Sequence, residues 1–386
     1  MLAHAPIPAL MLISQLAPGG AERQFVNLAV AVDRRRYAVH AGVLSHDLDL
    51  APELERAGVP VHSVPGAPRY PVRAVPRMVT EATGMIRRHR ASLVTSFLYA
   101  GNVVGALAAR ACGVPAVISE RTAPLHLPLG QRIMYAALGR ISAAMVVNSY
   151  AAKAAFVRLA RIPPAKIAVH YNGVDFARID RQLEATDAPD PRALLGLMPG
   201  EPVVGAVGRI DRLKNYELLL RIAAACRAAE VSARFVLVGD VVAGGDVSYR
   251  DELLQLRRAL GLEERVLFAG QQRNVAAFLR AFELFVLTSS QEGTPNALLE
   301  AMAVGVPALV TEAGDAGRIV RAAGCGEVLP PEPEVWAERV RELLLDARRR
   351  AAMGANGRQY ARASFSMERL AGEMQALWDD ILGRRG

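Results

Sequence analysis

The sequence is poor in cysteine, in aromatic residues and in long apolar runs, and each shortage excludes a class of protein. The three cysteines are far apart and lack CxxC spacing, which excludes a disulfide framework and a structural zinc site built from cysteines. Aromatic residues make up only 5% of the chain and do not alternate with the arginines, which argues against binding of single-stranded nucleic acid. No apolar run reaches the roughly 18 residues that a membrane span needs, and the run over 7–16 reads as a first strand and not a signal peptide, because no basic residue precedes it. We therefore expect a globular, cytoplasmic protein.

Lysine is also scarce, and the positive charge is unevenly distributed. Only three of the 46 basic residues are lysine, so a lysine within a motif is informative. Residues 1–180 carry 20 basic against 10 acidic residues, which leaves 26 against 28 for the remainder. This excess predicts an anionic partner for the first half, such as a membrane surface, a phosphorylated substrate or a nucleic acid, unless it is only a solvated face.

The apolar pattern predicts an α/β protein. Short runs rich in β-branched residues alternate with amphipathic segments of helical length, and the chain is long enough for two domains of roughly 150 residues each. We expect two Rossmann-like, doubly wound domains facing a central cleft, with ligands beyond the carboxyl ends of the strands. The predicted strands are Ala9–Ser14, Ala38–Val43, Leu93–Phe97, Ala116–Ser119, Ala144–Val147, Val203–Val207, Arg234–Val238, Arg265–Phe268, Leu284–Leu287 and Val306–Val310.

A polar segment near the middle of the chain marks the predicted domain boundary. A glycine turn over 172–175 is followed by a stretch that contains Asp187, Pro189 and Asp190. We predict a first domain over 1–180, a second over 181–360, and a C-terminal helix over 361–386 that packs back toward the first domain.

The strongest motif is the segment 289–307, which follows a predicted strand. Thr294 is a suitable N-cap, Pro295 fits the first helical position, and Gly305 ends the helix. From 297 to 304 every residue except Glu300 is apolar, so the helix should be buried and its carboxylate should need a partner.

Two carboxylates flank the start of this helix. Glu292 lies just before it and Glu300 about one turn and a half inside, with Asn296 one turn earlier on the same face. A helix N-terminus, here with Gly293 before it, suits a phosphate, and carboxylates suit sugar hydroxyls. The alternative is that Glu292 caps the helix and Glu300 binds a backbone group.

A second motif follows the strand that ends at Val207. Gly208 and Arg209 come directly after it, and Lys214 precedes Asn215, a plausible N-cap. Two cations at one strand end could hold a diphosphate from two sides. A solvated loop is the alternative.

A third motif, Gly19 and Gly20, follows the first strand, where glycines let backbone N–H groups approach a ligand closely. It is not the G-x-G-x-x-G fingerprint, which argues against a dehydrogenase.

Together these residues resemble glycosyltransferase family four, the retaining, nucleotide-sugar-dependent enzymes of the GT-B fold. The resemblance covers nearly the whole chain. It rests on the segments 19–23, 172–175 and 208–209, on Lys214, on the segment 238–240, and on the paired glutamates Glu292 and Glu300.

The resemblance implies roles for these positions. Glu300 would hold the ribose hydroxyls, and Glu292 would contact the donor sugar, with the amides after Gly293 in support. Arg209 and Lys214 would stabilise the departing diphosphate, and the loop at 19–20 would close over it. Since fixed cations carry the charge, no metal or other cofactor is expected.

Some positions depart from the family pattern. Many relatives have a histidine after the third strand, where this chain reads 96–102 without one. His126 lies in a proline-rich loop and is interpreted as a surface residue. Asn102 and Arg121 both follow strands, and we expect them to face the cleft and contact donor or acceptor. The segment 239–249 is longer than usual, which leaves the side of the nucleotide base open.

The first domain of such enzymes binds the acceptor, and here it is basic. Apolar residues recur at helical spacing over 75–86, among arginines that include Arg69, Arg73 and Arg77. A basic amphipathic helix predicts docking on an anionic membrane and a lipid-linked glycan acceptor, unless its apolar face packs on the sheet.

These observations predict a transferase that moves a hexose or N-acetylhexosamine from a nucleotide-diphosphate sugar, with uridine as the expected base. The acceptor would be a glycan or lipid-linked glycan in polysaccharide or lipopolysaccharide synthesis at the inner face of the cell membrane. One alternative is a nucleotide-sugar epimerase of the same fold. A non-enzymatic nucleic-acid-binding protein is the other.

Overall fold

The computed structural model describes residues 5–64, 72–185, 189–241 and 245–383. The chain divides into two compact units, the first comprising Met1–Gly173 with Met367–Gly386, and the second Val174–Ser366. The sequence placed these divisions after residues 180 and 360. They fall after Gly173 and Ser366 because the N–H of Val174 donates to the carbonyl of Phe365 at 2.7 Å, which ties both ends of the second unit together. Asp187, in the predicted boundary, lies outside the described residues.

The first unit is a seven-stranded parallel sheet with the order β3-β2-β1-β4-β5-β6-β7. Its strands are β1 (Ile7–Ile13), β2 (Tyr37–Val43), β3 (Val61–Ser63), β4 (Leu93–Phe97), β5 (Ala116–Glu120), β6 (Ala144–Val147) and β7 (Ile167–Val169). Its helices are α1 (Gly20–Ala31), α2 (Ala51–Arg56), α3 (Val75–Arg88), α4 (Leu98–Cys112), α5 (Leu129–Ile141) and α6 (Tyr150–Ala160), together with the C-terminal helix (Met367–Ile381).

Both faces of this sheet are buried. Along β1, Leu10 and Leu12 enter one apolar cluster and Met11 and Ile13 enter another, as expected when successive side chains point to opposite faces. The C-terminal helix belongs to the second cluster, where Trp378 is fully buried. Such two-sided burial confirms the predicted doubly wound architecture of this unit.

Helix α3 is the predicted basic amphipathic helix, and its apolar face is not free. Met78, Ala82, Met85 and Ile86 are buried in the cluster that also contains Leu10. The prediction that this face docks on a membrane is therefore wrong, because covering the sheet already buries it. Arg69 lies outside the described residues.

The second unit is a six-stranded parallel sheet with the order β10-β9-β8-β11-β12-β13. Its strands are β8 (Val203–Val207), β9 (Arg234–Val238), β10 (Val266–Gly270), β11 (Leu284–Leu287), β12 (Ala308–Val310) and β13 (Gly326–Val328). Its helices are α7 (Phe176–Glu184), α8 (Pro191–Leu194), α9 (Tyr216–Ala228), α10 (Val247–Ala259), α11 (Val275–Arg280), α12 (Asn296–Val304), α13 (Ala316–Ala323), α14 (Pro333–Leu345) and α15 (Ala347–Ser364).

Strand order reverses between β8 and β11, which are neighbours although β9 and β10 lie between them in sequence. Ligands of doubly wound sheets bind beyond the carboxyl ends of the strands at such a switch point. Among the described residues, no helix combines the length and apolarity needed to cross a bilayer.

Candidate active site

Two loops meet at the switch point of the second unit, one after β8 and the other after β11. The N–H of Ser290 donates to the carbonyl of Leu213 at 2.8 Å. The Thr288 hydroxyl donates to the carbonyl of Lys214 at 2.9 Å. These bonds bring together the two strongest motifs of the sequence, which are far apart along the chain.

An ion pair joins the two loops. Nζ of Lys214 donates to Oε1 of Glu292 at 2.6 Å, and the Ser289 hydroxyl donates to the same oxygen at 2.8 Å. The side chains of Lys214 and Glu292 are only 19% and 11% exposed. A charge-assisted pair that is this well shielded from water holds both groups in a fixed geometry.

The backbone around Lys214 directs its side chain. Residues 212–214 form a 3-10 turn, and Asn215 has a left-handed backbone with φ of 50°. Asp211 caps this turn by accepting from the N–H of Leu213 at 3.0 Å. Asn215 stands at the N-cap position of α9 as predicted, but its side chain makes no capping bond.

Arg209 is the second cation of this loop. It pairs with Asp211 at 3.4 Å, and 54% of its side chain is exposed. The guanidinium is thus oriented by a neighbouring carboxylate and open to a ligand. Asp211 therefore has two roles, as cap and as partner of Arg209, and neither was predicted from the sequence.

Gly208 allows two strand ends to approach closely. Its N–H donates to the carbonyl of Val238 at 2.9 Å, and a Cβ at Gly208 would lie 2.8 Å from the Tyr216 hydroxyl. Gly239 has φ of +135°, and a Cβ there would overlap the carbonyl of Gly208. Glycine is therefore required at position 239, and at position 208 a larger residue would have to displace the Tyr216 hydroxyl. The segment 239–249 that follows is described only in part, without 242–244.

The loop before α12 is pinned by the segment after β12. The N–H of Asp315 donates to the carbonyl of Gly293 at 3.1 Å, and the Thr311 hydroxyl donates to that of Ser289 at 2.6 Å. Gly314 has φ of +57° and lies against the carbonyls of Glu292 and Gly293. The backbone that carries Glu292 is thus held from two sides.

Helix α12 begins one residue later than predicted. Pro295 is the N-cap residue in an extended conformation, and Asn296 is the first helical residue. Thr294 is therefore not the N-cap, and it is buried. Gly305 ends the helix in the left-handed region, as predicted.

Glu300 has the partner that its apolar helix requires. Nη2 of Arg178 donates to Oε1 of Glu300 at 2.9 Å, and the two side chains are 27% and 23% exposed. Arg178 lies on α7, whose N-cap Asp175 accepts from the N–H of Arg178 at 2.8 Å. Asp175 belongs to a motif recognised in the sequence, but Arg178, three residues later, was not predicted to take part in the site.

In the first unit, the glycine loop follows β1 as predicted. Gly19 is the N-cap of α1 and Gly20 its first residue. The Glu22 carboxylate lies against Gly19, where a Cβ would displace it, and accepts from Gln15 at 3.2 Å. This acid occupies the positive end of α1. Contact of Gly19 and Gly20 with a diphosphate stays a prediction.

Asn102 was predicted to contact donor or acceptor, but its side chain is used inside the first unit. Its oxygen accepts from the Ser96 hydroxyl and from the N–H of Ser119, both at 3.0 Å. Its amide group donates to the Ser119 carbonyl at 2.9 Å and to Glu120 at 2.8 Å. Since the side chain is fully buried and all its polar atoms are bonded, its role is to join α4 to β5.

Glu120 ends β5 and is buried. Burial raises the pKa of Glu120 from 4.5 to about 7, although hydrogen bonds from Tyr135 and Asn102 and the charge of Arg121 oppose this shift. Burial also raises the pKa of Tyr135 well above its ordinary value. In the sequence, this carboxylate is distinguished only by its place at the end of a strand.

Arg121 follows Glu120 and lies at the strand end where it was predicted. Its Nη1 donates to Asn172 at 3.3 Å and to the carbonyl of His170 at 3.5 Å, and its guanidinium lies 5.0 Å from the centre of the Phe97 ring. Nε and Nη2 are buried and have no partner among the described residues. Burial lowers the pKa of Arg121 to about 10, with Glu120 opposing the shift.

His170 completes this group, beyond the end of β7. Burial, and then the charge of Arg121, lower the pKa of His170 to about 4, so the ring is neutral at pH 7. Its Nδ1 is buried and has no partner among the described residues. The edge of the first sheet therefore carries a buried cation with unused N–H groups. His126, by contrast, is exposed.

The chain matches two family models that together span both units. The model described as Glycosyltransferase Family 4 matches residues 18–178, and that described as Glycosyl transferases group 1 matches residues 190–360. The solved structure of Anabaena HepE in complex with UDP is similar, with a TM-score of 0.80, 24% identity, and coverage of 97% of this chain and 100% of that one. Fold and site motifs thus define a glycosyltransferase of the GT-B fold.

The chain is also similar in sequence to glycosyltransferases of known name. It is 30% identical to the D-inositol 3-phosphate glycosyltransferase of Rhodococcus opacus, over 72% of this chain and 65% of that protein. It is 27% identical to the lipopolysaccharide core biosynthesis mannosyltransferase LpsB of Rhizobium meliloti, over 57% of this chain and 62% of that protein. In both cases the match spans less than two thirds of the relative's length. The chain belongs to glycosyltransferase family four.

Proposed function

We propose that this protein is a retaining glycosyltransferase that moves a hexose or N-acetylhexosamine from a UDP-sugar to a glycan or lipid-linked glycan of the cell surface. The observation that carries the proposal is the ion pair of Lys214 with Glu292, set beside Arg209 at the carboxyl ends of β8 and β11. In the reaction, the bond between the anomeric carbon and the diphosphate oxygen breaks and a bond to an acceptor hydroxyl forms. The acceptor proton leaves with the UDP product or with solvent.

The donor site follows from the charges of the second unit. Negative charge develops on the departing diphosphate, and Arg209 and Lys214 supply two cations to it. Glu292 holds Lys214 in position and accepts from the donor sugar, while Glu300 accepts from the ribose hydroxyls. The backbone of Gly208, Gly293, Thr294 and Asn296 lines the same edge. One fixed donor of this type contributes about 10²–10³-fold to turnover.

Uridine is the base that we propose, and no metal is required at the donor site. Anabaena HepE, which shares the fold, was solved in complex with UDP, and this supports the choice of base. Arg209 and Lys214, held in position by Asp211 and Glu292, donate charged hydrogen bonds to the diphosphate, which is the contact that a metal ion would otherwise make.

The acceptor site is proposed for the carboxyl edge of the first sheet. Arg121 has N–H groups there without a partner among the described residues, and a phosphate or carboxylate of an acceptor would satisfy them. Two relatives, a D-inositol 3-phosphate glycosyltransferase and a lipopolysaccharide core mannosyltransferase, support an anionic or lipid-linked acceptor.

We also propose contact with an anionic membrane, through α5 in place of α3. Leu125, just before α5, and Leu129 and Ile133 within it recur every four residues and are 64%, 69% and 62% exposed. Arg132 and Arg140 on the same helix are exposed as well. Apolar residues beside arginines are typical of a helix that lies at a membrane surface.

Calorimetric titration with UDP and with GDP, without added metal, tests the donor site. We expect UDP to bind the wild type and Glu300→Ala to weaken this binding by at least about tenfold, since a charged hydrogen-bond partner of the ribose is lost. Glu312→Ala, which removes the exposed partner of Arg321, is the matched control. If neither nucleotide binds, the assignment of the donor site is wrong.

Two further measurements separate the alternatives. Product analysis without acceptor distinguishes transfer from epimerisation, because an epimerase converts the UDP-sugar alone.

Membrane contact is tested by flotation with phosphatidylglycerol vesicles. The wild type should float with the vesicles, and the double variant Leu129→Ser/Ile133→Ser should not. Leu345→Ser, at an apolar residue of the second unit that is 82% exposed, is the control and should still float. Equal flotation of all three proteins would exclude α5.

A further inference from the structure

Three histidines lie together in the first unit, and none of them belongs to the candidate site described above. His40 is in β2, His62 in β3, and His89 directly follows α3. One ring nitrogen of each lies within 4.8 Å of those of the other two. Nδ1 of His40 is 3.2 Å from Nε2 of His62.

The register of the sheet explains why the three histidine rings lie close together. Leu10 of β1 pairs with His40, and Gly42 pairs with His62, so both rings project from the face of the sheet that contains Leu10. Helix α3 covers that face, and Met85 lies against Gly42. His89, about one turn further along α3, therefore reaches the level of His40.

The environment of the rings suits a metal ion. All three side chains are half-buried, and Nε2 of His89 is buried and has no hydrogen-bond partner among the described residues. Histidine binds metal ions through the lone pair of its neutral imidazole, the form that predominates at pH 7 for the ordinary pKa of about 6.5.

One of the three nitrogen–nitrogen separations matches that of a three-histidine zinc site, and the other two are within 4.8 Å. Zinc binds imidazole at about 2.0–2.1 Å in tetrahedral geometry, which places two ligand nitrogens about 3.3 Å apart. The separation between His40 and His62 is 3.2 Å. The three rings lie against one another, with centroids 4.2–5.4 Å apart.

We propose that His40, His62 and His89 bind one divalent transition-metal ion of the zinc type. Three imidazoles select borderline ions such as Zn²⁺, Co²⁺ or Ni²⁺ over Mg²⁺ and Ca²⁺, which prefer oxygen ligands. The fourth coordination position is left to water. The ion joins the edge strand β3 to β2 and α3, so its role is structural. The site shares no residue with the donor site, for which no metal is proposed.

Zinc titration of the untagged protein, after treatment with a chelator, tests this proposal. We expect one equivalent of Zn²⁺ per chain by calorimetry, and a rise in the thermal midpoint that Mg²⁺ does not produce. Co²⁺ should give the visible absorption of a tetrahedral site. His62→Ala should weaken zinc binding by at least about tenfold, because one of three ligands is lost.

Control variants make the outcome decisive. His126→Ala removes an exposed histidine elsewhere in the same unit and should bind zinc like the wild type. His89→Gln, at the end of a helix, provides a second ligand variant if His62→Ala does not fold. The proposal is overturned if the wild type binds no stoichiometric zinc, or if the ligand variants bind it as tightly as His126→Ala.

Discussion

The two units place charged side chains at the same position, beyond the carboxyl ends of parallel strands, but they treat the charge differently. In the second unit, Lys214 and Glu292 form an ion pair in which each charge is balanced by the other, with 19% and 11% exposure. In the first unit, Glu120, Arg121 and His170 are buried, and their pKa values move toward the neutral forms.

This difference indicates which function the carboxyl edge of each sheet can serve. A cation that is paired keeps its charge, and held in place it can stabilise a diphosphate whose negative charge grows during the reaction. A buried arginine with unused N–H groups is costly until a ligand satisfies them, so it suits recognition of a group whose charge does not change. This difference supports the proposal that the second edge carries out the chemistry and the first recognises the acceptor.

Loss of the lysine should have the largest effect. Lys214→Met is expected to lower the turnover of the nucleotide-sugar donor by about 10²–10³-fold, since one fixed cation at the leaving group is removed and Glu292 is left unpaired. Steady-state kcat with saturating donor measures this. Arg212→Met, on the same turn but directed toward Glu252, should change kcat by less than about threefold, as exposed pairs contribute little. If the two substitutions lowered kcat equally, Lys214 would have no specific role at the leaving group.

The corresponding change in the first unit should act on the acceptor alone. Arg121→Met is expected to raise the acceptor KM by about 10–100-fold, because a charged hydrogen bond to the acceptor is lost, and to leave the Kd of UDP unchanged. Acceptor titrations and nucleotide calorimetry measure the two quantities. Arg110→Met, at an exposed arginine of α4, is the control. A change in UDP affinity with unchanged acceptor KM would contradict the division of roles.

Arg178 should act only through Glu300. Arg178→Ala is expected to weaken UDP binding about three- to tenfold, because its ion pair orients the Glu300 carboxylate. On a Glu300→Ala background the same substitution should add no further loss. Calorimetry on the double-mutant cycle measures the coupling, and additive losses would mean that Arg178 contacts the nucleotide itself.

The smallest effect concerns stability and pH. Glu120, with its pKa raised from 4.5 to about 7, holds a proton that the unfolded chain releases, so its contribution to stability is lost as pH rises through this range. The pKa of His170 is lowered from 6.5 to about 4, so the unfolded chain binds a proton that the folded chain does not. His170 therefore makes the free energy of unfolding rise with pH over this range, the opposite of Glu120. The two slopes offset each other in the wild type.

Single substitutions should reveal how each residue makes the free energy of unfolding depend on pH. In Glu120→Gln the stability should rise with pH between about 4 and 6.5, and in His170→Gln it should fall between 4.5 and about 7, each by up to about 1.4 kcal/mol per pH unit. Urea unfolding at several pH values measures the free energy. Parallel curves for both variants and the wild type would show that burial of these groups does not shift their pKa values.

Sequence pattern predicted most of the sheet. Five of the ten predicted strands have the bounds that the structure shows, and in Leu284–Leu287 this is because a strand buried on both faces is a continuous apolar run. The strands that were missed are β3, β7 and β13, each three residues long and each at a sheet edge. Such short segments have no periodicity to detect.

The candidate site was predictable where its residues follow strands, and not where it depends on long-range pairing. The motifs at 208–215 and 288–300 follow β8 and β11, and the fold brings their loops together. Asn102 was misjudged because sequence shows that a residue follows a strand, not which way its helix turns it. The partners Arg178 and His170, and the three-histidine cluster, depend on register and helix packing, which residue pattern alone does not contain.

The path of the chain has a consequence for synthesis. The first unit needs the C-terminal helix, whose Trp378 is buried in its core and donates to Thr95 at 2.9 Å. The second unit is contiguous over Val174–Ser366. On the ribosome, therefore, the unit that is made later can complete its fold first. Until Met367–Ile381 emerges, one apolar face of the first sheet lacks part of its cover and is prone to aggregate.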